Sequence, residues 1–103
     1  MGAFVTVGQA AEVLEGQAKQ YGVGGQDIGV ARVGGALVAF SDICTHRGCN
    51  LVDGGEIDGS TIECGCHGSV FDMVTGAVVE SPAVDPLPVF AVRELDGALQ
   101  IEV

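Results

Sequence analysis

Short apolar runs, each ended by a glycine pair or an Asp-Gly turn, recur along the whole chain. Residues 28–33 form one such run, and Gly34-Gly35 then makes a two-residue hairpin into residues 37–40. No segment sustains the 3.6-residue period of an amphipathic helix, and residues 8–14 allow at most one helical turn. The pattern therefore predicts an all-β domain of about ten short antiparallel strands.

The remaining predicted strands follow from the same pattern of apolar runs and turn residues. Asp58-Gly59 precedes a strand that leads directly into Cys64, and Asp96-Gly97 joins the two strands of the last hairpin. With these included, the predicted strands outside the first hairpin cover residues 3–7, 17–22, 61–63, 70–72, 77–79, 89–94 and 99–103.

Length and composition predict one folded domain over residues 1–103. Hydrophobic residues make up 48% of the chain, which excludes a disordered protein, and 17 glycines fit many tight turns. The N-terminus lacks the basic and apolar regions of a signal peptide, and no run approaches the ~20 apolar residues of a membrane span. We therefore expect a cytoplasmic protein without a membrane anchor.

The chain is strongly acidic, with a formal net charge of −10. Such a charge disfavours nucleic acid and anionic membranes as partners and favours positively charged protein surfaces. Many of the acids serve solubility alone. A steering role is expected mainly of five acids in or beside the cysteine-containing loops: Asp42, Asp53, Glu56, Glu63 and Asp72.

All four cysteines and both histidines lie between residues 44 and 67. Cys44 and His46 form a C-x-H motif, and Cys64 and His67 form a C-x-x-H motif, with Arg47 to Glu63 between His46 and Cys64. Two sulfurs and two nitrogens on two loops suit a 2Fe–2S cluster with mixed ligands. They also suit a structural zinc site, although zinc modules rarely have this spacing in a β-rich domain.

The pair of motifs resembles that of Rieske proteins. The resemblance implies that Cys44 and Cys64 bind the inner iron of one 2Fe–2S cluster and that His46 and His67 bind the outer, solvent-side iron. It also implies a Rieske-type antiparallel β-sandwich with three sheets, in which residues 43–72 form a small cluster-binding subdomain.

Cys49 and Cys66 flank the proposed ligands. If the two loops meet at one cluster, these thiols come close together, and a disulfide between them would cross-link the loops. The sequences CTHRGC and CGCHGS are similar to the disulfide-bearing Rieske subunits of cytochrome complexes, whereas most soluble Rieske ferredoxins lack this pair. Two free thiols remain the alternative in a reducing compartment.

Three further residues are expected beside the cluster because of the resemblance. Ser69 occupies the position of a serine that bonds a bridging sulfur in high-potential members. Phe71 stands where those members have a tyrosine that bonds a cysteine sulfur, so one donor is lost and an intermediate reduction potential is expected. Pro82 is the best match to a proline loop that covers a third side of the cluster.

The sequence offers no set of residues for catalysis, so we expect a one-electron carrier and not an enzyme. The chain resembles the ferredoxin component of bacterial multicomponent oxygenases. That resemblance implies a monomer that takes electrons from an NAD(P)H-dependent flavin reductase and passes them to a terminal Rieske non-haem iron oxygenase that hydroxylates aromatic rings. The alternatives are a small Rieske subunit fixed in a molybdenum enzyme or nitrite reductase, and a zinc-stabilised interaction module.

Overall fold

The computed structural model describes residues 3–45, 49–66, 68–81 and 83–102, and strands make up most of its regular structure. Within these residues there are eleven strands, β1 to β11, in the order Phe4–Gln9, Ala18–Val23, Gln26–Val33, Ala36–Ser41, Glu56–Asp58, Thr61–Glu63, Val70–Asp72, Val78–Glu80, Val89–Phe90, Val92–Leu95 and Ala98–Glu102. A single turn of 3₁₀ helix, Ala10–Glu12, follows β1. The prediction of an all-β antiparallel fold is confirmed.

The strands form three antiparallel sheets. The first has the order β1-β11-β10, the second β2-β3-β4-β9, and the third β5-β6-β7-β8. Hairpins connect most of the paired strands of the second and third sheets, and the predicted Gly34-Gly35 turn joins β3 to β4 in a register that pairs Val33 with Ala36. The division into one domain with a subdomain over residues 43–72 stays a prediction; the strands of the third sheet lie between residues 56 and 80.

The segment predicted as one strand over residues 89–94 belongs to two sheets. Val89 pairs with Phe40 of the second sheet, and Val92 pairs with Ile101 of the first. Ala91 lies between the two strands, and its carbonyl accepts a hydrogen bond from Glu102 N at 2.9 Å. The short strand β5, which the sequence pattern did not predict, extends the third sheet by pairing with β6.

Buried apolar residues form two clusters, and the second of them supports the cysteine-containing loops. The first cluster fills the space between the first two sheets, with Ile28, Val30, Leu99 and Ile101 at its centre. The second includes Phe40, Leu51, Ile62, Phe71, Met73 and Leu87, together with Cys44 and Cys64. Full burial of such apolar side chains stabilises a fold by about 1.5–3 kcal/mol each. Two of the proposed ligands thus sit in a well-packed core.

The hydroxyl oxygen of Tyr21 is buried and has no hydrogen-bond partner in the described part of the chain. Burial and, to a smaller extent, the carboxylate of Glu12 raise the pKa of this phenol above its ordinary value. Glu12 itself accepts a hydrogen bond from Gln9 N at 2.6 Å, which lowers the pKa of its carboxyl. The two shifted groups, Tyr21 and Glu12, thus lie beside each other at this corner of the fold.

Over the residues described, no helix is long and apolar enough to cross a membrane.

Candidate metal centre

The first cysteine-containing loop begins where β4 ends. Ile43 and Asn50 pair as an isolated antiparallel bridge, and Cys44 N donates a hydrogen bond to Cys49 O at 2.7 Å. The two ends of the loop are therefore held side by side, and we call the end of the fold where Cys44 and Cys49 lie the tip. Cys44 itself is a free cysteine with 1% of its surface exposed.

The second loop begins where β6 ends and has the same design. Cys64 N donates to Ser69 O at 2.7 Å, and Gly68 N donates to Cys64 O at 3.0 Å. Cys64 is also free and 1% exposed. Gly65 lies against the turn before β5, since a Cβ there would be only 2.6 Å from Gly54 O. The close approach requires a glycine at this position of the loop.

A disulfide between Cys49 and Cys66 cross-links the two loops, with a Cα–Cα distance of 6.5 Å. The structure thus has the bridge that the sequence resemblance implied. Cys66 is exposed and Cys49 is half-buried, so the bridge lies at the surface of the tip. The other two cysteines stay buried beneath it.

The three sulfurs of Cys49, Cys64 and Cys66 all lie within 4.8 Å of one another. Two of them are bonded to each other, so this group is not itself a set of metal ligands. The two free thiols, Cys44 and Cys64, are the sulfur donors available in the described residues. His46 and His67, the predicted nitrogen donors, lie outside the described residues, as does Pro82.

The donor set fits a Rieske cluster in its chemistry. Two buried thiols remain free in a protein whose other two cysteines are oxidised, and each thiol begins a loop whose sequence continues to a histidine two or three positions later. Two thiolates and two imidazoles are the ligands that such a cluster requires. The assignment of Cys44, Cys64, His46 and His67 as ligands remains a prediction.

Ser69 is fully buried between the second loop and the segment that follows β8. Its Oγ accepts a hydrogen bond from Ala83 N at 3.1 Å. Within the residues described, the hydroxyl hydrogen of Ser69 has no protein acceptor, so it remains available to a group in the site. This arrangement supports the expected bond from Ser69 to a cluster sulfur. Phe71 is 0% exposed and packs in the core below, where it offers no donor.

The segment from Ala83 to Asp85 is a third loop at the same tip. Thr45 Oγ1 donates a hydrogen bond to Asp85 O at 2.7 Å, which ties this loop to the first one. The bond from Ala83 to Ser69 ties it to the second one. The sequence analysis identified neither contact, because each joins residues far apart in the chain. Between its two attachment points, Val84 is 85% exposed.

Asp42 departs from the expected steering role, because its side chain is 0% exposed. Oδ2 accepts hydrogen bonds from Gln20 Nε2 at 2.5 Å and Asn50 Nδ2 at 3.0 Å, and Oδ1 accepts one from Val52 N at 2.7 Å. No cation pairs with it among the described residues. The carboxylate therefore fastens the far side of the first loop to β2 and cannot face a partner protein.

The other four acids of that set have different surroundings. Asp53, Glu56 and Glu63 are exposed, and Glu56 and Glu63 lie directly opposite each other on β5 and β6. Like charges in this arrangement repel, so the sheet itself gains nothing from them. Asp72 is half-buried and caps a turn by accepting hydrogen bonds from Val74 N and Thr75 N. Three of the five acids thus remain available at the surface.

Comparison with known proteins gives consistent results. The sequence profile described as "Rieske [2Fe-2S] domain" matches residues 3–91. Ferredoxin CarAc of Metapseudomonas resinovorans is 39% identical over 79 residues, which are 77% of this chain and 73% of that protein. The biphenyl dioxygenase ferredoxin subunit of Pseudomonas sp. (strain KKS102) is 37% identical over 80% of this chain and 75% of its own length.

A cytochrome b6-f complex iron-sulfur subunit of Chlorobaculum thiosulfatiphilum is also similar, at 37% identity over 86% of this chain but only 48% of that subunit. Among solved structures, the Sphingomonas yanoikuyae B1 ferredoxin superposes with a TM-score of 0.91 at 30% identity, covering 98% of this chain and 99% of that one. The ferredoxin solved in complex with the oxygenase of carbazole 1,9a-dioxygenase gives 0.89 at 33% identity, covering 99% and 94%. The prediction of a ferredoxin-type electron carrier is thereby confirmed.

Proposed function

The chain belongs to the Rieske [2Fe-2S] domain family, and on that premise we propose that it delivers single electrons to a terminal Rieske non-haem iron oxygenase that hydroxylates aromatic rings. The observation that carries the proposal is the full-length likeness to a ferredoxin solved together with its oxygenase. When bound, the 2Fe–2S cluster supplies one-electron redox chemistry at a potential above that of all-cysteine ferredoxins. The protein catalyses no reaction of its own.

The chain's own residues hold that cluster at the tip. Cys44 and Cys64 would bind one iron, and His46 and His67 would bind the other. What supports the sulfur assignments is that both thiols are free and buried at the starts of two cross-linked loops. Ser69 Oγ accepts a hydrogen bond from Ala83 N, which leaves its hydroxyl hydrogen for a cluster sulfur in the same site. These residues set where the electron resides and how strongly it is held.

Electrons enter from an NAD(P)H-dependent flavin reductase and leave through the tip, where the oxygenase docks. A monomer in the cytoplasm suits such a shuttle, because one surface must meet two partners in turn and redox encounters are small and transient. The net charge of −10 and the exposed carboxylates of Asp53, Glu56 and Glu63 favour partners with positive docking surfaces.

A second candidate is a Rieske subunit fixed in a larger oxidoreductase. The Cys49–Cys66 bridge and the likeness to a cytochrome b6-f iron-sulfur subunit favour it. A molybdenum enzyme or nitrite reductase would be the kind of assembly concerned. A fixed subunit would co-elute with its partner in size exclusion, whereas a shuttle elutes alone. The family membership leaves no support for a zinc-stabilised interaction module.

Spectroscopy of four cysteine variants tests the ligand assignment. Cys44→Ser and Cys64→Ser should each abolish the visible absorption and the EPR signal of the reduced cluster. Cys49→Ser and Cys66→Ser are the matched controls, since they remove the bridge and keep both sulfur ligands. Loss of the cluster in the controls alone, or its retention in both of the first two variants, would contradict the assignment.

Electron delivery is tested by rapid mixing. The reduced protein is mixed with the oxidised oxygenase of carbazole or biphenyl dioxygenase, and oxidation of the protein is followed at increasing salt. We expect transfer within the turnover time of the oxygenase, at a rate that falls as salt screens the charges. Absence of transfer at every salt concentration, together with co-elution with a larger enzyme from the native cell extract, would favour the fixed subunit.

A further inference from the structure

The sulfur of Cys64 lies beside the Cys49–Cys66 disulfide. The sulfur atoms of these three residues are all within 4.8 Å of one another. Cys64 is a free cysteine, and so is Cys44. Of the two free thiols that the structure describes, only Cys64 belongs to this group. The fold therefore places one reduced sulfur next to a bridge that it does not share.

A thiol in this position can exchange with the bridge. The thiolate of Cys64 attacks one sulfur of the disulfide, a new S–S bond forms, and the other sulfur leaves as a thiolate that then takes up a proton. Cys66 is exposed and Cys49 half-buried, so expulsion of Cys66 puts the leaving sulfur in water, where its negative charge costs least. The favoured product is therefore a Cys49–Cys64 bridge with Cys66 free.

The step balances without an external reagent. One S–S bond breaks, one forms, and the proton that Cys64 loses ends on Cys66. Nothing is oxidised or reduced overall, so the reaction needs only that Cys64 is not bound to iron.

We propose that Cys64 is a built-in exchange thiol that rearranges the Cys49–Cys66 bridge when the protein loses its cluster. The exchange itself rests on the positions of three sulfurs. Its suppression in the loaded protein rests on the proposed function, because iron bound to Cys64 holds the attacking sulfur. The exchanged bridge then prevents reassembly of the cluster, because Cys64 is no longer available as a ligand. A dithiol reductant must open the bridge before iron and sulfide can bind again.

Disulfide mapping of three cluster-free proteins tests the exchange. Wild-type protein is stripped of iron with EDTA in mild acid without oxygen, brought to pH 8, quenched with acid, alkylated and digested. Cys44→Ser is treated in the same way and keeps the attacking thiol; Cys64→Ser lacks it. We expect alkylation of Cys66 to rise by about tenfold or more in wild type and Cys44→Ser relative to Cys64→Ser. A Cys64–Cys66 bridge with Cys49 free also supports the exchange.

Two results would overturn the proposal. One is a cluster-free wild type that keeps the Cys49–Cys66 bridge with Cys44 and Cys64 both alkylated. The other is pairing of Cys44 as often as Cys64, which is what a chain without the native arrangement of sulfurs would give.

Reloading provides a second measurement. The exchanged protein should recover visible absorption on addition of iron and sulfide only after treatment with a dithiol, and equal recovery without it contradicts the proposal. Failure of the ligand assignment has a different signature: Cys64→Ser would then purify with a normal cluster, whatever the mapping of the cluster-free proteins shows.

Discussion

Replacement of Asp42 by Asn tests whether a buried carboxylate holds the first loop in place. In the folded protein, Asp42 accepts three hydrogen bonds, and two of them end on Oδ2. An asparagine has one acceptor oxygen and an NH₂ group in place of the other. It can keep the bond from Val52 N, but its NH₂ group then faces the amide donors of Gln20 and Asn50.

The size of the effect follows from those two lost bonds. A hydrogen bond to a charged group contributes about 1.5–3 kcal/mol. Gln20 is exposed and Asn50 is half-buried, so both amides can partly turn to water, and we allow about 1–2 kcal/mol for each bond. The expected loss is about 2–4 kcal/mol, which in a domain of this size lowers Tm by about 8–16 °C.

The assay is thermal unfolding at one fixed scan rate, followed by far-ultraviolet circular dichroism and by the visible absorption of the cluster. Both transitions should move down together, because the same carboxylate joins β2 to the loop that begins at Cys44. Asp53→Asn is the matched control. Asp53 is exposed and accepts no hydrogen bond within the described residues, so its replacement should change the stability by less than about 0.5 kcal/mol.

A midpoint for Asp42→Asn within about 4 °C of wild type would refute the reasoning, since it corresponds to less than about 1 kcal/mol. A higher midpoint would refute it more strongly. It would mean that the desolvation penalty of a buried carboxylate without a cation exceeds the stabilisation from its three hydrogen bonds.

Three other substitutions give separate tests. Ser69→Ala leaves the buried N–H of Ala83 unpaired and should destabilise the protein by about 1–3 kcal/mol. The same substitution should lower the reduction potential measured by protein-film voltammetry. Ser81→Ala, on the exposed surface, should change neither the stability nor the potential. Gly65→Ala forces a methyl group against the backbone of Gly54 and should lower the free energy of unfolding by about 1–3 kcal/mol, with loss of part of the cluster content. Gly22→Ala, which has open space around it, should leave the cluster content unchanged. The folded protein holds the Tyr21 proton to a higher pH than the unfolded chain does, because its pKa is raised, so stability should fall as pH rises above about 10; Tyr21→Phe should flatten that fall in urea titrations, and an unaltered slope would contradict it.

The all-β fold could be predicted from the chain because its strands are short and their turns carry strong local signals. Gly34-Gly35 and Asp96-Gly97 fix hairpins within a few residues. The division of residues 89–94 between two sheets could not be predicted in this way. It depends on partners at Phe40 and Ile101, which are distant in sequence, and Ala91 itself carries no turn signal.

Prediction of the site was limited in the same way, by contacts between residues that are distant in sequence. The cysteines and histidines were found because their types and spacing are rare, and the likeness to Rieske proteins gave the bridge between Cys49 and Cys66. The steering role predicted for Asp42 was wrong. The prediction assumed a solvated side chain, because an acid in a predicted loop is normally exposed. Its partners Gln20, Asn50 and Val52 are brought to it only by the tertiary fold. The contact from Thr45 to Asp85 spans 40 residues and has no local signal either.

The tip consists of three loops joined in pairs. The disulfide connects the first to the second, Thr45 connects the first to the third, and Ser69 connects the second to the third. Among the described residues each loop is thus tied to both of the others, which should limit the movement of the backbone around the redox centre when it gains or loses charge. Removal of any one link opens the triangle, and the penalty should then appear as slower electron exchange between copies of the protein, even where the midpoint potential is unchanged.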